Sequence, residues 1–139
     1  MHEPKGITTA TNNQVYVANG SNSGSWTNLP LAIHATIADV STAETVYIPI
    51  PYACIVSRIT TVLEGAITVA DATITAKNAA GSSMGTITVA YTSSAAGDVD
   101  SLDSASNNTI SDNSFLTIET NGGSTDAQRL FVTVYVELT

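Results

Sequence analysis

The stretch TVYIPIPYACIVSRITTVL, Thr45 to Leu63, is the longest dense run of β-branched and aromatic residues in the chain. In its first half Val46, Ile48 and Ile50 recur at every second position. A period of two is typical of a strand, because successive side chains of an extended chain point to opposite faces. The first half is therefore predicted to be a core strand.

The second half of the stretch follows the same rule. Ile55, Ile59 and Leu63 fall on one side of the predicted strand, and Arg58 and Thr60 fall on the other. This pattern predicts a second core strand in which Ile55 and Ile59 both point inward.

Two prolines, Pro49 and Pro51, separate the halves. Proline lacks the backbone N–H that a sheet requires and restricts the residue before it, so the chain is predicted to turn there.

Outward from this stretch, short alternating segments are separated by Gly, Asn, Asp and Ser, and no helical period of useful length occurs. The clearest alternation is the last segment, Leu130 to Leu138, which is predicted to lie inside a sheet. The polar segment Ser93 to Asn113 is predicted to be a long loop. The whole pattern predicts an all-β protein, an antiparallel β-sandwich of the jelly-roll kind with about eight strands. An immunoglobulin-like sandwich is the less favoured alternative, since the Cys and Trp spacing of those domains is missing.

Length and charge limit the possible functions. A chain of 139 residues suits one domain. With 4 Lys and Arg against 12 Asp and Glu, the net charge is -8, which disfavours binding to nucleic acid or to anionic lipid. No apolar segment approaches the roughly 20 residues that span a bilayer, and the N-terminus lacks the pattern of a signal peptide. We therefore expect a protein that is made in the cytoplasm and binds neither nucleic acid nor membrane.

Residues 1–30 are polar and small, so we expect an extended N-terminal arm that precedes a β-sandwich domain over residues 31–139. The arm contains two aromatic candidates for partner contact, Tyr16 and Trp26. A lone tryptophan in a polar segment packs either on its own domain or on a partner, since aromatic residues are common interface anchors.

Catalytic groups are scarce in this sequence. The residues His2, His34 and Cys54 offer no recognisable nucleophile and base pair, so no catalytic and no cofactor-binding residue is predicted. His34 is expected on the surface or at a subunit interface, and Cys54 in the core. Arg58 interrupts a core-like strand and is expected to pair with a carboxylate or to face a subunit boundary.

Carboxylates that lie close together in a sequence are potential calcium ligands, and four aspartates do so here: Asp98, Asp100, Asp103 and Asp112. Their spacing is not that of an EF-hand, because no glycine occupies the sixth position and Thr109 stands where a bidentate Glu is expected. A solvated acidic loop is the favoured interpretation, and no metal ligand is predicted.

Two parts of the sequence resemble proteins of tailed bacteriophages. The segment VYVANGSNSGSW, Val15 to Trp26, resembles the linkers of tail-fibre and head-decoration proteins, in which a short strand and a Gly/Ser run precede a tryptophan. The run from Val46 to Lys77, the phrases AGDVDS and SDNSFLTIETNGGST, and the valine-rich last strand resemble small β-sandwich proteins of tailed-phage virions.

This resemblance implies a capsid decoration (cement) protein, a non-enzymatic structural protein that binds the outer capsid surface. Such proteins are commonly trimers that stand on the shell and bridge neighbouring capsomers. The implied partners are the major capsid protein and two further copies of the chain, and the implied location is the virion. Tyr16, Trp26, His34 and Arg58 are the candidate contact residues.

Two alternatives stay open at this stage. The first is a tail-fibre or head-fibre tip module that binds host-surface glycan through the segment Ser93 to Asn113, although that segment contains no aromatic residue. The second is a carbohydrate-active enzyme on a jelly roll, which needs two carboxylates that face each other across a cleft.

Overall fold

A computed structural model describes residues 10–21 and 23–139 of the chain. The described residues contain eleven strands and no helix. The strands are β1 (Gln14–Ala18), β2 (Gly24–Asn28), β3 (Pro30–Ile37), β4 (Ala43–Ile50), β5 (Cys54–Leu63), β6 (Ala72–Asn78), β7 (Ser83–Val89), β8 (Val99–Asp103), β9 (Thr109–Ile110), β10 (Ser114–Asn121) and β11 (Leu130–Leu138).

The strands from β3 onward form two antiparallel sheets. One sheet has the order β4-β10-β6-β7, and the other has the order β3-β11-β5-β8, with β9 also paired to β5. Because β8 and β9 occupy one edge position, each sheet has four positions, and the chain crosses between the sheets in the order of a jelly roll. The predicted all-β, jelly-roll-like sandwich is confirmed, and β11 lies inside its sheet as the alternation predicted.

The stretch from Thr45 to Leu63 supplies one strand to each sheet. Strand β4 ends at Ile50 and β5 begins at Cys54, so the predicted turn is the short connection 51–53. Pro49 lies within β4 and is tolerated because β4 is an edge strand. The side chains of Ile48, Ile50 and Ile59 are buried between the sheets.

Ile55 departs from the predicted pattern. The register between β5 and β11 shifts between Tyr135 and Val136, so Tyr135 pairs with Arg58 while Val136 pairs with Val56. Ser57 is left without a partner in β11 and forms a β-bulge. This bulge reverses the side of the sheet on which the side chains of the preceding residues, Cys54 to Val56, lie. Cys54 and Val56 are therefore fully buried, whereas Ile55 is only partly buried. The prediction that Ile55 shares the inward face of Ile59 was wrong.

The polar segment from Ser93 to Asn113 is not one long loop. It contains β8 and β9, which extend the five-stranded sheet along the outer edge of β5. Between them Asn108 bonds β5 twice, since its carbonyl oxygen accepts from Val56 N at 2.9 Å and its Nδ2 donates to Val56 O at 2.9 Å. Backbone pairing with a central strand thus orders a segment that has few apolar residues.

The arm also differs from the extended segment that we predicted. Strands β1 and β2 pair as a two-stranded antiparallel hairpin. Backbone bonds attach the hairpin to the sandwich, because Leu29 N donates to Asn13 O at 2.8 Å and Leu138 N donates to Leu29 O at 3.1 Å. Asn13 Nδ2 also donates to Thr139 O at 3.0 Å. Residues 1–9 and 22 of the predicted arm lie outside the described residues.

The sandwich has two distinct ends. The connections 38–42, 64–71, 90–98 and 122–129 meet at one end, which we call the loop end. The connections 51–53, 79–82, 104–108 and 111–113 lie at the other, which we call the hairpin end because the β1-β2 hairpin joins the sandwich there.

The bulge predicts different costs for two similar truncations in β5. Replacing Ile59 by Ala removes a side chain that is 0% exposed, and we expect the free energy of unfolding to fall by about 2 to 5 kcal/mol. The matched variant Ile55→Ala should lower the free energy of unfolding clearly less, since Ile55 lies on the outer face. Urea unfolding followed by circular dichroism measures both, and equal losses would contradict the bulged register.

Candidate functional site

Tyr16 and Trp26 lie directly opposite each other in the hairpin. Their ring centroids are 5.3 Å apart with an interplanar angle of 63°, an edge-to-face arrangement. A side chain at Gly24 would meet the Tyr16 ring at 2.9 Å, so glycine there leaves room for the ring. The two aromatic candidates of the predicted arm are therefore brought together as one cross-strand pair.

Tyr16 and Trp26 are the two largest side chains of the hairpin. An isolated two-stranded hairpin is at best marginally stable in water, so this pair and the backbone bonds to the sandwich hold it in place. Both residues are only half-buried. The indole Nε1 of Trp26 is buried and has no hydrogen-bond partner among the described residues. A donor in this position gains free energy when it finds an acceptor.

His34 and Arg58 lie on the outer face of the five-stranded sheet, away from the hairpin pair. His34 pairs in register with Thr133, and its Nδ1 is 3.1 Å from the Thr133 hydroxyl. Arg58 occupies the neighbouring row beside Tyr135 and Asp103. The four candidate contact residues therefore lie at two separate places, two in the hairpin and two on the outer face of the five-stranded sheet.

Arg58 forms an ion pair with Asp103, as one of its two predicted alternatives requires. Its Nε donates to Asp103 Oδ1 at 2.7 Å, and the two side chains are 52% and 76% exposed. The hydrogen bond from Arg58, followed by its charge, lowers the pKa of Asp103, and the same contacts raise the pKa of Arg58. Because exposed ion pairs contribute little to stability, the pair orients two charges more than it stabilises the fold.

Sequence reasoning missed the large apolar side chains that are exposed on the same face of this sheet. Phe131 and Tyr135 on β11 and Val99 on β8 are 43%, 41% and 63% exposed. Phe131 and Tyr135 are the outward positions of the most regular alternation in the chain. That alternation was the signal that large apolar side chains face outward here, and it was available in the sequence.

A second exposed aromatic pair lies on the outer face of the other sheet. The rings of Tyr47 and Phe115 are 5.6 Å apart, and Tyr47 is 67% exposed. Beside them Lys77 Nζ donates to Glu119 Oε2 at 2.6 Å. Neither aromatic residue was among the sequence candidates.

The remaining reactive side chains stay apart. Cys54 is fully buried, and desolvation raises the pKa of its thiol. Asp103 is paired with Arg58, while Asp98 accepts from Ala95 N at 2.6 Å. Within residues 10–21 and 23–139 no three His, Cys, Asp or Glu side chains cluster in a way that fits a metal ion.

Charge is distributed unevenly between the two ends of the sandwich. The four connections of the loop end carry one cation, Arg129, and five carboxylates: Asp39, Glu64, Asp71, Asp98 and Asp126. The connections of the hairpin end carry one charged side chain, Asp112. With five carboxylates and one arginine, the connections of the loop end carry a net charge of -4, half of the chain's -8, whereas those of the hairpin end carry -1.

Comparisons with known proteins find a structural similarity but no family or curated relative. No family model matches the chain, and no curated protein matches it. A search of solved structures finds similarity to a chain in the structure of infectious bursal disease virus, Gx strain, at 8% identity and a TM-score of 0.24. The alignment covers 88% of this chain and 44% of the viral chain, so the chain spans less than half the length of that protein. Among the described residues no helix is long and apolar enough to cross a membrane.

The Arg58–Asp103 pair predicts a shift that titration can measure. A lowered carboxyl pKa contributes stability above the unfolded pKa, and that contribution is lost as the pH falls through the folded pKa. In Arg58→Gln we expect the Asp103 pKa to rise towards its ordinary value, as followed by NMR of the carboxyl carbons. The matched variant Arg129→Gln, which removes the partner of Glu64, should leave Asp103 unchanged. An unaltered Asp103 pKa in Arg58→Gln would contradict the assigned pair.

Proposed function

We propose that this chain is a non-enzymatic capsid decoration protein of a tailed bacteriophage that binds the outer capsid surface as a homotrimer. The observation that carries the proposal is the jelly-roll order of the two sheets, β4-β10-β6-β7 and β3-β11-β5-β8, with an appended aromatic hairpin. Jelly rolls are a common architecture of viral capsid proteins. The phrases that resemble small phage virion proteins run through the strands of this sandwich.

The hairpin end is the surface that meets the major capsid protein. Its connections carry a single carboxylate, so docking there removes few charges from water. The hairpin offers the Tyr16–Trp26 pair as an anchor, and aromatic residues at interfaces carry much of the binding free energy.

The acidic loop end faces the solvent in this arrangement. Its five carboxylates and single arginine are costly to desolvate at an interface, whereas on the outside of the virion they remain hydrated. Like charges on neighbouring proteins also limit association of the outward ends.

Sedimentation with capsids tests this role. Purified protein is mixed with capsids of the source phage that lack it, and the bound fraction is measured after pelleting. We expect the wild-type chain to pellet with capsids and Trp26→Ser to bind at least about ten-fold more weakly, since truncation of an aromatic anchor commonly has at least this effect. The control Thr27→Ala changes the exposed neighbour of Trp26 and should bind like wild type. Failure of the wild-type chain to bind would overturn the proposed function.

A second candidate function is favoured by the exposed Tyr47–Phe115 pair. The two rings lie on an open sheet face beside the hydrogen-bonding groups of Lys77 and Glu119, a combination of apolar and polar groups that suits a glycan. This candidate is the fibre-tip module. Its glycan site would lie on this sheet face and not in the segment Ser93–Asn113. Specific signals on a glycan array that disappear in Tyr47→Ala would favour it over the decoration role, and an array without signals would exclude it.

A further inference from the structure

Strand β3 has a free edge. It pairs with β11 on one side, and among the described residues no strand pairs with its other side. Leu138 N donates to Leu29 O, so the residue just before β3 directs its backbone polar groups towards β11. These groups alternate in direction along an antiparallel ladder, and the register with β11 is unbroken. Three residues of β3 therefore direct their N–H groups to the free edge: Ala32, His34 and Thr36.

The other edge strands are protected against the addition of a further strand, whereas β3 is not. Charges, prolines and bulges are the usual protection. Strand β4 contains Glu44 and Pro49, and β8 contains Asp100 and Asp103. Strand β7 has a register shift against β6, and the Leu102 side chain of β8 packs over it. By contrast, β3 is eight residues long, has no Asp, Glu, Lys or Arg, and its only proline is its first residue.

An apolar cleft opens beside this free edge. The cleft is about 290 Å³ in volume, is lined by residues of both β3 and β4, and has no charged side chain in its wall. At the loop end Ala38 N donates to Glu44 Oε2 at 3.0 Å, which joins the two edges. Towards the hairpin end the inward side chains of β3 become more exposed, from 0% for Ile37 to 41% for Leu31. The interior of the sandwich is therefore least covered where β3 begins.

An extended polypeptide strand complements both the free edge and the cleft. An extended backbone presents C=O and N–H groups at the spacing of those in β3, and its hydrogen bonds supply affinity. The side chains of an added strand alternate between the two faces of the sheet, so every second one enters the cleft. Because neither the cleft nor the edge carries a charge, the segment that fits is uncharged and has apolar residues at alternate positions.

A second copy of the chain fits this site less well than a single extended segment. The β3 strand of another copy could pair with the free edge, since both edges have the same groups. However, the inward side chains of that second β3 face the cleft of their own sandwich. Both clefts would stay open in such a pair, whereas a separate segment fills one.

We propose that β3 binds an extended segment of the partner protein as an added strand, with alternate apolar side chains of that segment in the cleft between β3 and β4. This inference rests on the proposed function, under which the partner is the major capsid protein, and it deepens that function by assigning the mode of recognition. The cleft opens at the hairpin end, where the connection 51–53 forms part of its wall. The added strand and the Tyr16–Trp26 pair thus contact the same partner.

A proline at the free edge tests this pairing in the capsid sedimentation assay. Ala32→Pro removes an N–H that lies outside the β3–β11 ladder, and its ring obstructs an incoming strand. The matched control Ala32→Ser keeps that N–H. We expect Ala32→Ser to bind capsids like wild type and Ala32→Pro to bind at least about ten-fold more weakly, because an acceptor of the added strand loses its donor.

The same assay separates this inference from the proposed function. Equal binding of the folded proline and serine variants would overturn the added strand and leave the decoration role intact. A wild-type chain that does not bind capsids would overturn both.

A second matched pair keeps the test decisive if Ala32→Pro does not fold, as judged by circular dichroism. Leu31→Glu places a charge in the cleft, whereas Val99→Glu places one on β8, at the opposite edge of the same sheet. Both side chains are substantially exposed, so both variants should fold. We expect weaker capsid binding for Leu31→Glu alone, and unchanged binding of this variant would contradict the proposed cleft.

Hydrogen exchange followed by mass spectrometry detects the added strand directly. When the wild-type chain binds capsids, the free-edge amides in peptides that cover β3 should exchange more slowly, while peptides that cover β7 should not change. Slow exchange of these amides in the free monomer would mean that the same chain already covers the edge. Slow exchange in a free oligomer that Ala32→Pro dissociates would mean that a second copy covers it. Either result would overturn the inference.

Discussion

The fold depends on the pairing of β5 with β11 at the centre of the five-stranded sheet. These two strands carry a large part of the buried core, including Ile59, Leu63, Val132 and Val134, and both neighbouring edges of the sheet are built on them. Their register also contains the bulge beside Ser57. That single extra residue determines which side chains of β5 face the core and which face outward.

The pairing of β5 with β11 connects the fold to the candidate surfaces. Arg58 follows the bulge and keeps the outward side that plain alternation predicts, beside Tyr135 and opposite Asp103. Without the shift, Cys54 and Val56 would face outward and Ile55 would enter the core. Arg58 and Tyr135 on the outer face are therefore positioned by the same strand pairing that stabilises the sandwich.

Much of the architecture could be predicted from the sequence, because strand alternation and turn residues are local signals. The strands around Ile48, Ile59 and Val134 were predicted on the correct faces. Ile55 was not, since a bulge depends on the partner strand and has no signal of its own in β5. Strands β8 and β9 were missed for a related reason. They are ordered by hydrogen bonds to β5, which a polar composition does not reveal.

The candidate site was predicted less completely than the fold. Tyr16, Trp26, His34 and Arg58 could be selected as unusual residues, but their division between the hairpin and the sheet face follows from long-range pairing. Tyr47 and Phe115 were not selected, because aromatic residues in strands are expected in the core. Their exposure depends on which face of the β4-β10 pair is left uncovered, which is a property of the assembled sandwich.

The central claim is that the chain decorates a capsid through its hairpin end. Cryo-electron microscopy of the source virion tests this claim most directly. The account predicts density for the sandwich on the outer shell, with Trp26 next to the major capsid protein and the acidic loop end directed outward. Density in the tail, no density on the virion, or a sandwich docked through its loop end would contradict it.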